Sequence, residues 1–474
     1  MNLPAIPKGH NERLERYTRF EQLRLGQHEE AFSSYIKKVG SSYQRDAKTG
    51  WGSMFYTINL PKLVARTTAD LLFDEKPRIK AEGNQAFIDT AITELELWRK
   101  FYESADFGSA KGDAVLKIIV VDGELKVVPV NPSLYLPIYN NGNVYGKPEA
   151  EEIHEPVKIQ LNGEERDAVI IERYEPGKIT TRLEVKSSDG EMSPLPLNAF
   201  FPDIPEEVET GLTADEPLII HIKNSGIPTD YFGISDYADI ETLFYAVDNR
   251  FSRIESILDK HSSPLLTAPP GTLLDKNGHM KRNVDVIEFM QMGDKTPEIK
   301  YVAWDAKLDS AFQSLSQSVD MVLMMSNIAP SLVGRKTEGG MAESGRALKF
   351  RLINTLAMKH RKELYWGVAM KKLFWTLQVW SQENGYIIAG TKSLEPQTVS
   401  ITFQDGVIND PIEQIEAVER QLASGLISQQ DAIQAIHDVD EQVAEDRLKA
   451  IREEKQSSSI FYTPSMDTVE DEVE

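Results

Sequence analysis

Two long apolar helical stripes with a short insertion between them constrain this chain more than any other feature. Ile234, Tyr237, Ile240, Leu243, Phe244, Val247, Phe251, Ile254, Ile257 and Leu258 recur in steps of mostly three and four, the period of one helix face over about seven turns. The stripe ends at Ser262-Ser263-Pro264, where proline cannot continue the ladder. Its other face carries both signs of charge. An apolar stripe this long needs a partner helix. Leu308, Phe312, Leu315, Val319, Val322 and Leu323 supply one, ending before Pro330. Residues 265–305 form the insertion. They hold Pro269-Pro270-Gly271, the turn Asp275-Lys276-Asn277-Gly278, and β-like runs at 284–290 and 298–304. A small α/β or β knob on two long helices is unusual in an enzyme core and natural for a stalk with a docking tip.

The 474 residues exceed one compact core and suggest two to four modules. The N-terminal 50 residues hold nine Lys/Arg against six Asp/Glu and read as an amphipathic helix over 12–39. They show no apolar core or cleavage site of a signal peptide. Asn59-Leu60-Pro61 opens a second helix that ends near 73–77, and a third runs over 84–110. The period then changes. Residues 114–129 are two β runs around the hairpin pair Asp122-Gly123. Strand-like runs follow at 134–139, 157–161, 168–174 and 178–185, punctuated by turn residues at 140–142, 162–163 and 189–190, so an antiparallel, half-exposed β module is expected. Its tail, 202–217, has six acidic residues and no basic one and reads as a solvated loop.

After Pro330 comes a Gly-rich polar stretch, with glycines at 334, 339, 340 and 345. A very long helix over 342–382 follows. Leu348, Leu352, Leu356, Leu364, Val368, Leu373 and Leu377 form its apolar positions, and Gly367 is a candidate bend. A strand is expected at 398–404. Helices at 412–423, 429–436 and 438–454 then follow, with Ser428 capping the middle one and Asp431 completing the box. Residues 457–474 lack periodicity and read as disordered.

The net charge is −22, which disfavours sequence-specific DNA readout but permits a conduit through which DNA slides. From 410 to 474, 17 Asp/Glu face 5 Lys/Arg, so that stretch carries more than half the net charge. One stretch opposes it: residues 335–372 hold ten Lys/Arg and three Asp/Glu. They read either as a solvated helix face or as a strip facing a polyanion.

Signatures of chemistry are missing. The chain has no cysteine, which excludes disulfides, thiolate catalysis and zinc–cysteine sites and fits a reducing compartment. There is no G-x-G-x-x-G, no G-x-x-x-x-G-K-[ST], no H-E-x-x-H and no G-x-S-x-G. The eight histidines (10, 28, 154, 221, 261, 279, 360, 437) have no ligand spacing. Asp275–Gly278 lacks the later ligands of a calcium loop and reads as a hairpin turn. Methionines 290, 292, 321, 324 and 325 read as flexible core filler. No apolar run approaches the roughly 20 residues of a membrane span. The expectation is no catalytic residues, no metal and no cofactor.

The order of parts resembles the portal proteins of tailed bacteriophages, in the branch typical of long-tailed phages of Gram-positive hosts. Local segments carry the likeness: Asn59-Leu60-Pro61 through Leu71-Leu72-Phe73 to Lys76-Pro77; the hairpin region 108–132; Gly233-Ile234-Ser235-Asp236; and Asn409-Asp410-Pro411 through Gly425-Leu426-Ile427-Ser428 to 438–452. The resemblance implies an α+β portal-type fold: an α/β wing at 1–233, stem helices at 234–263 and 305–330, a small α/β clip at 264–304, a tunnel loop at 331–344, a long bent wing helix and return strand at 345–409, an α-helical crown at 410–456, and a disordered tail at 457–474. It implies a ring of about twelve subunits closed by cyclic symmetry, at one capsid vertex of a virion assembled in host cytoplasm. Its partners would be double-stranded DNA without sequence specificity, the terminase large subunit, a head–tail adaptor, and scaffold and major capsid proteins, with no membrane. Arg335, Lys336, Arg346 and Lys349 would meet DNA at the tunnel loop. Asp275, Lys276, Asn277, His279, Lys281 and Arg282 would form the docking clip. Two other readings are another phage head scaffold or minor capsid protein, and a carboxylate-metal nuclease. The second would need a clustered acidic set, which the sequence does not display.

Overall fold

The computed structural model describes residues 10–39, 54–139, 148–161, 163–186, 192–227, 230–262, 265–268, 286–288, 300–302, 308–335, 345–404, 411–437, 439 and 441–459. The chain divides into two compact units, one of Met1–Thr337 and Leu352–Gly406, the other of Glu338–Arg351 and Val407–Glu474.

The N-terminal helical stretch is three pieces, α1 (His10–Leu25), α2 (His28–Ala31) and α3 (Ser33–Val39). The break after α1 falls at Gly26, φ +85°. Helix α4 (Leu60–Phe73) starts where its sequence says: the Asn59 side chain accepts the Lys62 N–H at 3.0 Å, and Pro61 occupies the first turn, where its missing N–H costs little. Strand β1 (Arg78–Lys80) leads to α5 (Gln85–Glu94) and α6 (Leu97–Lys111). The single helix expected over 84–110 is therefore two. Leu95 and Leu97 are both buried, although one helix would set them about 200° apart. The chain reconciles them by turning at Glu96, φ +49°.

Strands β2 (Asp113–Val121) and β3 (Glu124–Val130) form the expected hairpin. Asp122 and Gly123 have φ of +52° and +80°, the pair of positive values that a two-residue turn of matching twist requires. Strands β4 (Tyr135–Ile138), β5 (Ala150–Leu161), β6 (Glu164–Glu175), β7 (Lys178–Lys186) and β8 (Met192–Leu195) build an antiparallel sheet in that order, with β9 (Glu207–Glu209) on β7. The expected β module is present, and its acidic tail contributes a strand as well as loop. Strand β10 (Ile219–Lys223) returns to β2, giving a three-stranded sheet β10-β2-β3.

Helix α7 (Glu241–Ser262) begins seven residues after the apolar stripe does. Residues 236–240 make turns instead, because the Ser235 hydroxyl bonds Ala110 O and accepts the Tyr237 N–H at 2.9 Å. Such local side-chain bonds compete with helix. Strands β11 (Leu265–Ala268), β12 (Val286–Glu288) and β13 (Lys300–Val302) then form a small sheet, β12 parallel and β13 antiparallel to β11. Helix α8 (Leu308–Met325) follows. The helix–knob–helix order read from sequence is thus observed. Helix α9 (Gly345–Asn384) is 40 residues long, and β14 (Ser400–Thr402) pairs with β1. In the second unit α10 (Pro411–Ala423), α11 (Gln429–His437) and α12 (Glu441–Ser459) follow in sequence. Residues 457–459 continue α12, and 460–474 lie outside the described residues.

Two large cores and two smaller clusters within the β4–β8 sheet hold the first unit. Of the large cores, one packs Phe73, Phe101, Ile118 and Val127 against Trp366, Leu373, Phe374 and Leu377 of α9. The other roots the helix pair: Phe20, Leu23, Val64, Tyr237, Phe244, Val247, Val322 and Leu323 are buried together, each worth about 2 kcal/mol of burial. A buried hydrogen-bonded pair ties the N-terminal helices to the same root. His28 Nδ1 lies 2.5 Å from Asp248 Oδ2, and His28 Nε2 lies 2.9 Å from Leu23 O.

Candidate functional site

The residues singled out by sequence fall into three groups. Asp275, Lys276, Asn277, His279, Lys281 and Arg282 lie outside the described residues, as does Lys336. Arg346 and Lys349 stand in the first turns of α9. Only Arg335 has a described side chain. It follows a short 3₁₀ turn, Pro330–Val333, and Gly334 at φ +71°. Its backbone N–H donates to Pro330 O at 3.1 Å. Its guanidinium donates to Ser316 Oγ at 2.7 Å and pairs with Asp320 Oδ1 at 3.2 Å. Arg335 is therefore folded back on α8, half exposed, at the point where the chain leaves the helix pair.

The rest of the basic strip splits by face, which its composition does not reveal. Lys359 and Lys362 point inward and are almost fully buried. Lys359 donates to Gln404 O. Lys362 donates to Asn224 Oδ1 at 2.6 Å and Asp236 Oδ2 at 2.5 Å. Burial pushes the Lys362 ammonium below its usual range, against the pull of Asp236. Asp236 also accepts from Ser109 Oγ at 2.5 Å and Asn224 Nδ2 at 2.9 Å. This cluster joins α6, the loop after β10, the entry to α7 and α9. Lysine 362 thus anchors the long helix and takes no part in a polyanion surface. Its signal was legible in part: Thr355, Lys359 and Lys362 share one helical face with Leu352, Trp366 and Leu373.

The apolar positions split too. Leu364 and Val368, expected on the packed stripe, are 72% and 55% exposed. Of the methionines read as core filler, Met321, Met324 and Met325 are exposed on α8, and 290 and 292 lie outside the described residues. The buried face of α8 is satisfied by Ser318, Val322 and Leu323, which leaves the methionines on the opposite side.

A second hub was not foreseen. Asp113, at the start of β2, accepts from the Tyr17 hydroxyl, from His221 Nε2 at 2.7 Å and from the Gly233 N–H at 2.7 Å. Burial pushes its carboxyl up, but these partners, His221 foremost, hold it below the usual range. His221 stacks against both Tyr135 and Tyr231, whose rings also lie against each other. Next to it is a cavity of about 540 Å³ lined by Glu149, Glu151, Glu175, Asp215, Glu216 and Lys372 among others. Glu151 is pushed up by burial, against the opposing Tyr135 hydroxyl bond. An acidic cavity of this kind repels phosphate. Among the described residues no group of three or more His, Cys, Asp or Glu could hold a metal ion, and no described helix is long and apolar enough to cross a membrane.

A family model described as "Phage portal protein, SPP1 Gp6-like" matches residues 5–459. No curated protein matches the chain. Among solved structures, the chain is similar to one from the "Neck of empty GTA particle computed with C6 symmetry", at 12% identity and TM-score 0.47 over 81% of this chain and 91% of that one. It is also similar to a chain of the "Virion of native gene transfer agent (GTA) particle", at 12% identity and TM-score 0.44 over 92% and 96%.

Proposed function

Since the chain belongs to the SPP1 Gp6-like family of phage portal proteins, a structural class of virion component, we propose that it forms a ring at one capsid vertex and serves as the channel for DNA packaging and ejection. The observation that carries this reading is the α7–sheet–α8 arrangement: two long helices rooted in one core, with a small sheet between them in sequence. Repeated round an axis, such pairs line a channel, and cyclic closure ends the contacts without making fibres. The surface charge suits a conduit. At −22 per chain, the walls offer DNA few phosphate contacts and no fixed register, and phosphate contacts carry no sequence information in any case. Weak contacts would come from Arg335, Lys336, Arg346 and Lys349 near the 331–344 loop. The 264–304 segment would dock a terminase motor and later a head–tail adaptor, and ATP hydrolysis would come from the motor, in keeping with the lack of a P-loop sequence here. Scaffold and major capsid proteins would meet the outer parts of the ring, and about twelve copies would close it.

Light scattering with negative-stain imaging tests the ring. Closed annuli with a central hole are expected. A stable monomer under all assembly conditions would sink the proposal.

A further inference from the structure

The first unit has two exposed helix faces of opposite character. On α8, Met321, Met324 and Met325 are exposed within about 100° of one another round the helix, Met324 by 68%. The only charged residues of that helix are Asp309 and Asp320, and it has no Lys or Arg. On α9, positions 353, 357, 360, 361, 364, 368 and 371 recur in helical steps on the side away from the core, and all are exposed. That face holds Ile353, Leu364 and Val368 together with Arg361 and Lys371, and no carboxylate. Each face is apolar at its centre; the cations beside the α9 face complement the two carboxylates of α8, one of which, Asp320, also pairs with Arg335. Exposed aliphatic groups of this size between cations fit a protein surface better than a phosphate backbone, because phosphate contacts do nothing for Leu364 or Val368.

A heterologous contact in a closed ring needs two different, mutually complementary patches on every copy. We infer that the α9 face of one copy, centred on Leu364 and Val368, packs against the α8 methionine face of the next. Arg361 and Lys371 would meet the acidic side of that helix, where Asp320 already holds Arg335. This rests on the ring reading above and names the surfaces that close the ring. It also gives the outward half of the basic strip a protein partner in place of DNA.

The chain lacks cysteine, so cross-linking tests the contact on an empty background. The variants are Met321→Cys, Leu364→Cys and the two together, at positions exposed enough to leave folding intact. Assembled rings are treated with a short bis-maleimide and run under denaturing conditions. The double variant should give a ladder of covalent oligomers, and each single variant alone should stay monomeric. Rings without a ladder, a monomer-sized internal cross-link only, or dimers from a single variant overturn the interface and leave the ring reading standing. Failure of the unaltered chain to form rings overturns the ring reading, and the interface with it.

Discussion

A methyl group placed on Gly233 would stand 2.0 Å from the carbonyl oxygen of Gly112 and 3.1 Å from the amide nitrogen of Asn224. Both obstacles are backbone, so no side-chain rotation relieves them. Gly112 faces the same crossing from the other side, at φ +99°, and a methyl group placed on it would stand 2.8 Å from Ser235 N. Gly233→Ala should therefore cost more than about 4 kcal/mol and show as loss of soluble protein. Gly123→Ala, at positive φ but with nothing within 4 Å, should cost only about 1–2 kcal/mol, read from urea unfolding. The same crossing depends on the Lys362–Asp236 pair. Lys362→Met leaves the largely buried Asp236 carboxylate short of its cation and should cost about 3 kcal/mol. Adding Asp236→Asn should recover part of that loss, and a double-mutant cycle measures how much. Asp113 gives the pH dependence. Its folded carboxyl lies below its ordinary value of 3.8, so the unfolded chain binds more protons just below that pH. The stability it contributes is present above about pH 4 and is lost as pH falls through the lowered value. Asp113→Asn should be less stable at neutral pH and should flatten the unfolding midpoint against pH in that acid window. An unchanged acid slope would remove Asp113 from the account.

At the scale of elements, what was legible followed from local chemistry. Asn59 with Pro61, the Asp122-Gly123 turn, and the Ser428–Asp431 box each fix one boundary by their own bonds, and each stands where the sequence put it. In the last, Ser428 N donates to Asp431 Oδ2 at 2.9 Å and Asp431 N to Ser428 Oγ at 3.0 Å. Ser428→Ala should weaken α11 by about 1 kcal/mol, seen as faster amide exchange confined to its first turn. What was not legible needed a tertiary partner. Nothing local marks Glu96 as a break; it follows from burying Leu95 and Leu97 on one side. The late start of α7 follows from Ser235 reaching across to Ala110. Helix α9 is the sharpest case. Its composition reads as apolar stripe plus basic strip, yet Lys359 and Lys362 face in and Ile353, Leu364 and Val368 face out, because Asp236 and Gln404 wait inside at the places Lys362 and Lys359 reach. Of the residues read as touching DNA, Arg335 alone has a described side chain, and it is bonded to α8. The sequence signalled a charge there but not its direction.

At the scale of the whole molecule, the question is how a chain of net charge −22 meets a polyanion at all. Most of its surface should repel duplex DNA, so any affinity must come from a few cations in one place. Binding of that kind is independent of sequence and falls with salt, log K against log salt having a slope near −0.9 per phosphate contact. Arg335 and Lys336 are the cations that open the Gly-rich stretch, and Arg335 reaches its present partners, Ser316 and Asp320, through bonds that a phosphate oxygen can replace. Assembled rings should therefore bind duplexes of unrelated sequence alike at low salt. Arg335→Ala with Lys336→Ala should lower the magnitude of the salt slope by about 1 for each side chain that touches phosphate, and should change packaging or retention of DNA. Ring mass by light scattering should stay the same, because the inferred closing surfaces on α8 and α9 do not use either residue as their own contact. If the rings themselves fail to form, the two cations are structural. If rings form and the salt slope does not move, DNA is met elsewhere on the wall.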